Sequence, residues 1–282
     1  MGILSGLKNL AKPDTVIRPD LPAVPEDGCP LDCSTCTTKY PRTLKVDRDT
    51  PLWGSVKPWK RHIILATGKT DWTHGMDAES PLSKALDSWS PSDSAVGRVL
   101  RSNASLPPPQ GYFEQPNPSQ RLTRMLILPT MYEATNISLS NLDAAADALL
   151  SMTSPHQVPQ FPGLEIKDSG HKAVILLCSH KTRDKRCGIT APLLRKEFEQ
   201  SLREHGLNRD ANDDRPGGVP IYDVSHVGGH KFAGNVIIYK DTGEGIWMGL
   251  VEPKHCQAIV EETILKGRVY PALLRATFAS DW

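Results

Sequence analysis

The sequence predicts an α/β fold, with two α/β units following one another along the chain. Short apolar runs typical of buried strands alternate with segments of helical periodicity, and this alternation indicates sheets covered by helices. The chain has 282 residues, 39% of them hydrophobic, which is enough for a substantial core. A net charge of +1 gives no indication of nucleic-acid or membrane-surface binding. No apolar run approaches the roughly 20 residues of a membrane span.

Residues 1–57 predict an irregular N-terminal segment. Proline and turn-forming residues dominate it from residue 13 onward. Before that point, Ile3, Leu7 and Leu10 would share one face of a helix, with lysines opposite. We interpret residues 1–12 as a surface helix, with a mitochondrial presequence as the alternative.

Six cysteines are sparse for this length, so a disulfide framework is not expected. Clustered cysteines favour metal binding or redox chemistry instead. Cys29, Cys33 and Cys36 could begin a zinc site, but the sequence offers no evident fourth ligand nearby. Inert surface thiols are an equal alternative for these three.

The first α/β unit is predicted over residues 58–150. Its elements are a strand at 61–68, a helix at 80–89, a strand at 123–130 and a helix at 138–152. Ser80 is placed to cap the first helix, with Pro81 at its first position, and Asn141 is placed to cap the second. Residues 151–170, rich in proline and glycine, predict a linker.

The second unit is predicted over residues 171–276, with a tail at 277–282. Its elements are strands at 172–178, 218–226, 234–240 and 245–251, and helices at 190–205 and 253–267. Thr190 is the expected N-cap of the first of these helices, and Gly206 its C-terminal stop. The resulting order, β-α-β-β-β-α, resembles the thioredoxin fold.

Two pairs of candidate metal ligands follow the apolar strands of the second unit. Cys178 and Cys187 are separated by eight residues, and His226 and His230 by three. Parallel neighbouring strands bring their carboxyl ends to one edge of a sheet, so the two pairs should meet there. The Gly228-Gly229 dipeptide permits a tight loop between the histidines. A helix starting just after Cys187 would point its positive end at the site and favour thiolates.

The chemistry of this donor set favours a [2Fe–2S] cluster, with zinc as the alternative. Two cysteines and two histidines also make a zinc set, but eight residues is a long spacing for zinc-finger cysteines. With two ferric ions, two sulfides, two thiolates and two neutral imidazoles the charges cancel, which makes reduction easier than for a four-thiolate cluster. Here one loop supplies both cysteines and the other both histidines, which differs from the Rieske motif.

Three segments carry a resemblance to a known family. They are "HIILATGKTDW", "CSHKTRDKRCG" and "HVGGHKFAGNVIIY". They resemble the sucrase/ferredoxin-like family of actin-patches-distal-type proteins. The similarity extends from about residue 58 onward and is sharpest across 172–251. It implies a thioredoxin-like ferredoxin domain with a bis-histidinyl, non-Rieske [2Fe–2S] cluster, in which Cys178 and Cys187 bind one iron and His226 and His230 the other.

The resemblance also gives meaning to the chain end. Asp281-Trp282 looks like the tail recognised by the cytosolic iron–sulfur targeting complex, although Ser280 departs from the usual aliphatic residue. Four basic residues against Asp184 give the basic loop between the cysteines a net charge of +3, which would attract an acidic reductase: Lys181, Arg183, Lys185 and Arg186. A cytoplasmic location is expected, with the mitochondrion as the alternative.

These observations predict a one-electron carrier, or an oxidoreductase component without a flavin or nicotinamide site of its own. Histidine ligands would couple electron uptake to proton uptake. Two other functions stay open at this point: a zinc-stabilised interaction module and a thiol redox quality-control protein. His180 and Cys256 are expected to be structural or solvated.

Overall fold

The structure is a computed structural model that describes residues 21–25, 30–34, 36–76, 79–93, 96–152, 163–213 and 215–280. This part of the chain forms a mixed α/β fold around one sheet of eleven strands. The predicted fold class is confirmed. The N-terminal residues 1–20, where a surface helix was expected, lie outside the described residues.

The first half of the described chain supplies one side of the sheet. Its elements are β1 (Arg61–Ala66), α1 (Pro81–Ser88), β2 (Val99–Ala104), a 3-10 turn (Pro118–Gln120), β3 (Thr123–Leu128), β4 (Tyr132–Ile137), α2 (Leu142–Ser151) and β5 (Glu165–Asp168). Ser80 caps α1 as predicted, because its hydroxyl accepts a hydrogen bond from the Ser83 N–H at 3.0 Å. Asn141 precedes α2, but its side chain accepts from Ser138 instead of from the helix.

The second half supplies the other side. Its elements are β6 (Ala173–Cys178), α3 (Lys185–Glu204), β7 (Asn208–Arg209), β8 (Val219–Val224), β9 (Val236–Lys240), β10 (Glu244–Met248), α4 (Cys256–Ala258) and β11 (Leu274–Ala279). The α4 turn continues a 3-10 turn at Pro253–His255 and passes into a π-helical stretch at Ile259–Leu265. The predicted β-α-β-β-β-α order is therefore present, with β7 and β11 added.

The strand order is β11-β10-β9-β6-β8-β2-β1-β3-β4-β5, with β7 beside β8. The two halves meet where β2 pairs with β8 in antiparallel orientation, through the single register pair Ala104 and Val224. Backbone and serine hydrogen bonds between 103–105 and 223–225 extend this seam by a residue on each side. The sheet is continuous, but the connection between its halves is short.

The inner faces of both halves contribute to one shared hydrophobic cluster. Ile64 of β1, Leu176 of β6 and Trp247 of β10 all belong to it and are fully buried. Burial of side chains of this size contributes about 1.5–3 kcal/mol each. Since β1 and β10 are far apart in the strand order, the sheet curves so that its halves pack on each other.

Helices cover the two outer faces. In the first half, Leu65 packs in a cluster with Leu86 of α1 and Leu149 of α2. In the second half, Leu177 shares a cluster with Phe198 of α3 and with the π-helical segment. Alternate residues of β1 thus face a helix layer and the inner cluster, as the period of a strand requires.

Four strands, β2, β4, β7 and β11, were missing from the sequence prediction, and a fifth, β5, lies in the expected linker. β2, β4 and β11 were not predicted because polar residues interrupt their apolar pattern, although several of these residues are buried and bonded. Glu133 of β4, for example, accepts from Arg124 of β3 at 3.1 Å. β5 falls within 151–170 and pairs with β4. β11 crosses residue 276, where the tail was expected to begin.

The predicted start of α3 was wrong by five residues. The helix begins at Lys185, where Asp184 is the N-cap and accepts a hydrogen bond from the Arg186 N–H at 2.9 Å. Thr190 lies inside the helix, and its hydroxyl donates to the carbonyl of Cys187. Cys187 consequently lies in the first turn of α3, not in the loop before it. Gly206 does end the helix in a left-handed conformation, as predicted.

Within the described residues, no helix is both long and apolar enough to cross a membrane.

Candidate metal centre

The four predicted ligands lie at the carboxyl ends of two parallel strands. β6 and β8 are neighbours, and Cys178, the last residue of β6, is in register with Val224, the last residue of β8. His226 follows two residues later, so β8 ends earlier than the sequence predicted. The parallel pairing brings the cysteine loop and the histidine loop to the same edge.

The two cysteines form a buried, reduced pair. The sulfurs of Cys178 and Cys187 are 3.6 Å apart, against about 2.05 Å in a disulfide, and their exposed fractions are 3% and 1%. The hydrogen bond between the two sulfurs lowers the pKa of the Cys178 thiol, with help from His226 and the Val227 N–H and against the effect of burial. That shared bond, together with burial, raises the pKa of Cys187. Within the pair, Cys178 is the more acidic thiol.

The two histidines lie side by side next to the cysteines. Their ring centroids are 5.0 Å apart, and the His226 side chain lowers the pKa of the Cys178 thiol. The loop between them reverses through Gly228 and Gly229, whose φ angles are 100° and 74°. The left-handed conformation at both positions favours glycine, as the sequence analysis expected.

The outer histidine also faces the start of α3. The Nε2 atom of His230 is 3.8 Å from a carboxylate oxygen of Asp184, the N-cap residue. Burial lowers the pKa of His230, although the nearby Asp184 opposes this. A half-exposed, neutral imidazole follows, which is the form that binds metals.

Both histidine rings hold a buried nitrogen that has no hydrogen-bond partner. The Nδ1 atoms of His226 and His230 are shielded from solvent and unpaired in the described structure. A buried polar atom without a partner costs about 1–3 kcal/mol and calls for an explanation. A metal bond would satisfy both atoms.

The donor set matches a [2Fe–2S] centre in the number and kind of its ligands. Among the described residues, no group of three His, Cys, Asp or Glu side chains is arranged to hold one metal ion. A [2Fe–2S] centre needs two protein ligands on each iron, and two adjacent pairs match that requirement. Two thiols outside any disulfide and two unpaired imidazole nitrogens supply it.

A loop of the first half holds the cysteine loop in place, which the sequence analysis did not foresee. The Ser179 hydroxyl donates to the carbonyl of Thr70 at 2.6 Å. Asp71 accepts from both the N–H and the hydroxyl of Thr182. The residues of this loop belong to the segment "HIILATGKTDW", and that segment's resemblance to the family was the available sequence indication of the contact.

His180 is buried and structural, in keeping with expectation. One ring nitrogen bonds the carbonyl of Trp72 at 3.0 Å, and the other accepts from the backbone N–H of His226 at 3.1 Å. The ring thus connects the loop after β1 to the histidine loop. Cys256 is also buried, and burial raises its pKa.

The described N-terminal cysteines lie away from the four candidate ligands. The Cys33 thiol donates to Gln257 at 3.0 Å, and the Cys36 thiol donates to Glu197 at 3.6 Å. Both line a cavity of about 300 Å³ beside α3. Cys29 and the Asp281-Trp282 tail lie outside the described residues, so their predicted roles stay predictions.

Comparison with known proteins places these features in context. The family model described as sucrase/ferredoxin-like matches residues 52–276. Actin patches distal protein 1 of Saccharomyces cerevisiae is 35% identical over 259 residues, covering 86% of this chain and 82% of its own. Altered inheritance of mitochondria protein 32 of Clavispora lusitaniae is 28% identical over 273 residues, covering 88% and 94%.

The chain is also similar to a solved structure, the thioredoxin-like [2Fe–2S] ferredoxin of Aquifex aeolicus, with 19% identity and a TM-score of 0.25. The match covers 37% of this chain and 93% of that one.

Proposed function

Because the chain belongs to the sucrase/ferredoxin-like family, we propose that it is an electron-transfer protein with a [2Fe–2S] cluster. Cys178 and Cys187 would bind one iron, and His226 and His230 the other. The cluster would supply reversible one-electron chemistry. The observation that carries the proposal is the pair of buried, unpaired Nδ1 atoms beside two reduced, buried thiols.

The protein residues around the proposed centre would hold charge and exclude water. Cys178 is stabilised as a thiolate by Cys187, by His226 and by the backbone N–H of Val227. The first turn of α3 presents the positive end of the helix near Cys187, which also favours negative charge there. The half-exposed His230 is the ligand nearest to solvent, and we assign proton uptake on reduction to the histidine side.

The electron donor in this proposal is a reductase with an acidic surface. Lys181, Arg183 and Lys185 are exposed around the centre, whereas Arg186 is paired with Asp184 at 2.8 Å. Exposed cations of one sign attract an acidic partner and speed its encounter. Ile189, also exposed, adds an apolar contact beside them. Delivery of the cluster through Asp281-Trp282 by the cytosolic targeting complex, and a cytoplasmic location with the mitochondrion as alternative, are parts of this same proposal.

Spectroscopy of freshly purified protein tests the proposal. We expect visible absorption bands, about two irons and two sulfides per chain, and an EPR signal after reduction. Cys178→Ser and His230→Ala should lose most of the bound iron. Cys256→Ser is the matched control, since this thiol is buried but bonds only to backbone carbonyls.

A colourless protein with stoichiometric zinc after anaerobic preparation would favour the zinc module instead. Full iron content in the His230→Ala and His226→Ala variants together would exclude histidine ligation. A midpoint potential that does not change across about pH 6–9 would contradict proton uptake on reduction.

A further inference from the structure

A β-bulge directs one arginine toward the proposed centre. In the pairing of β10 with β11, Trp247 is opposite Ala276 and Met248 is opposite Leu274, so Arg275 is the extra residue. Bulges redirect side chains and are frequent beside functional sites. Arg275 is only 2% exposed, and its carbonyl accepts a hydrogen bond from the Gly54 N–H.

The Arg275 guanidinium holds the turn between the two histidines. One terminal nitrogen donates to the carbonyl of Gly228 at 3.1 Å and to the amide oxygen of Asn235 at 2.6 Å. The Asn235 amide nitrogen in turn donates to the carbonyl of Gly229 at 3.0 Å. Both carbonyls of the turn are thereby fixed from one side.

The surrounding chain leaves room for this guanidinium. A Cβ on Gly229 would overlap it, and a Cβ on Gly249 would meet its side-chain stem at 2.9 Å. The rings of Phe232 and Trp247 lie 5.3 and 5.1 Å from it, in cation–π contact. Glycine at 229 is needed both for its left-handed φ and for this close approach.

The buried charge has no carboxylate partner in the described part of the chain. The Cys178 sulfur is the acidic group whose charge acts on it, and Ser55 accepts its remaining hydrogen bonds, through the hydroxyl at 3.0 Å and the carbonyl at 3.3 Å. Burial lowers the pKa of Arg275 to about 10, so the side chain is still a cation at neutral pH. A buried, uncompensated cation is costly unless negative charge is placed beside it.

We infer that Arg275 is a positioning and charge-compensating residue for the proposed centre. It fixes the Gly228–Gly229 turn, and its positive charge favours the reduced state, in which the centre carries one more electron. This inference rests on the proposed function and adds to it a residue that no ligand motif contains.

Midpoint potentials of the purified, iron-loaded protein test the charge. Arg275→Gln should make reduction at least tenfold less favourable, a fall of 59 mV for one electron. Arg275→Lys keeps the charge, so its midpoint potential should lie closer to that of wild type than to that of Arg275→Gln. The matched control is Arg101→Gln, because Arg101 is a partly buried arginine that bonds the carbonyl of Asp87 instead.

If Arg275→Gln does not fold, Asn235→Asp gives the same test, because it places a carboxylate on the guanidinium and cancels its charge. The potential should fall by a similar amount. If the equilibrium constant for reduction stays within threefold of the wild-type value in either variant, and the control is also unchanged, the charge role is overturned.

A readout in the iron-free protein separates this inference from the proposed function. Gly229→Ala should displace the guanidinium, whereas Gly228→Ala, also at a positive φ, adds a Cβ that meets nothing within 4 Å. Hydrogen exchange of residues 226–232 should rise at least tenfold more in Gly229→Ala than in Gly228→Ala. Equal rates would overturn the positioning role, even if the wild-type protein binds its cluster as proposed. Absence of iron from wild type would instead overturn the proposed function.

Discussion

His62 shows how a single buried residue can make stability depend on pH. Its ring is fully buried on β1, with one nitrogen 3.1 Å from the Tyr239 hydroxyl and the other 2.9 Å from the Ser102 hydroxyl. Burial lowers its pKa to about 3, assisted by the positive charge of Arg98. The folded protein therefore holds this imidazole neutral well below its ordinary pKa of 6.5.

Acid should therefore destabilise the protein through His62. Between about pH 6.5 and 3 the unfolded chain binds a proton at this ring and the folded chain does not, so stability falls as pH falls, by about 1.4 kcal/mol per unit. In His62→Gln we expect a shallower loss of unfolding free energy over this range, measured by urea denaturation at several pH values. The variant should also be about 1–3 kcal/mol less stable at neutral pH, because its hydroxyl partners lose a bond.

His205→Gln is the control for this experiment, because His205 is only partly buried and bonds a helix carbonyl at 2.8 Å. It should keep the wild-type dependence on pH. If the free energy of unfolding falls equally steeply with pH in wild type and His62→Gln, a group other than His62 governs the loss of stability in acid.

At the level of elements, the first turn of α3 packs unusually closely on the cysteine loop. Gly188 follows Cys187 in this turn, and a Cβ at position 188 would overlap the Cβ of Lys181. The helix can approach the loop only because residue 188 lacks a side chain. This contact sets how near Cys187 comes to Cys178.

Gly188→Ala should therefore separate the helix from the loop. We expect a loss of about 1–3 kcal/mol of stability from overpacking and a lower iron content per chain. The double variant Lys181→Gly with Gly188→Ala removes the side chain that the new Cβ would overlap. It should recover part of the stability and part of the iron content. Calorimetry and iron analysis on the three proteins measure this. An unchanged iron content in Gly188→Ala would contradict the expected effect on the cysteine pair.

Sequence reasoning performed best for elements with continuous apolar runs. β1, β6 and β9 were predicted close to their observed bounds because they are buried on both faces. β2 was missed because Ser102 and Asn103 interrupt its pattern, although both are buried and hydrogen-bonded in the fold. The start of α3 was misplaced because Thr190 and Pro192 resemble a helix start, whereas Asp184 provides the cap.

At the scale of the whole molecule, the basic loop should steer charged reactants to the centre. Reduction by dithionite, an anion, should slow roughly three- to tenfold in Arg183→Glu with Lys185→Glu, while reduction by one-electron-reduced methyl viologen, a radical cation, should accelerate. Both effects should vanish at 1 M salt, where the screening length is about 3 Å. Stopped-flow absorbance follows both reactions.

Charge reversal elsewhere provides the control. Lys57 and Lys84 are exposed in the first half, and their replacement by glutamate changes the net charge of the molecule equally. These substitutions should leave both rates within twofold of wild type. Equal slowing by the two double variants would mean that total charge, not the position of the basic loop, governs the encounter.

The candidate ligands were identifiable from the sequence because each pair follows an apolar strand. The residues that surround the candidate ligands could not be identified from the sequence. Arg275 lies far along the chain in a strand that was not predicted, and its bulge becomes visible only in the pairing of β10 with β11. Contacts between residues so far apart in sequence have no local pattern, so they emerge only from the folded chain.

The hydrogen bonds from the first half to the cysteine loop would be lost in a shorter protein. A fragment beginning at residue 171 would lack Thr70, Asp71 and Trp72, which anchor the cysteine loop from outside. It would also leave residues 223–225 without their hydrogen bonds to β2, and unpaired strand edges invite association with other chains. The upstream hundred or so residues thus hold the cysteine loop in position, so the proposed centre depends on both halves of the chain.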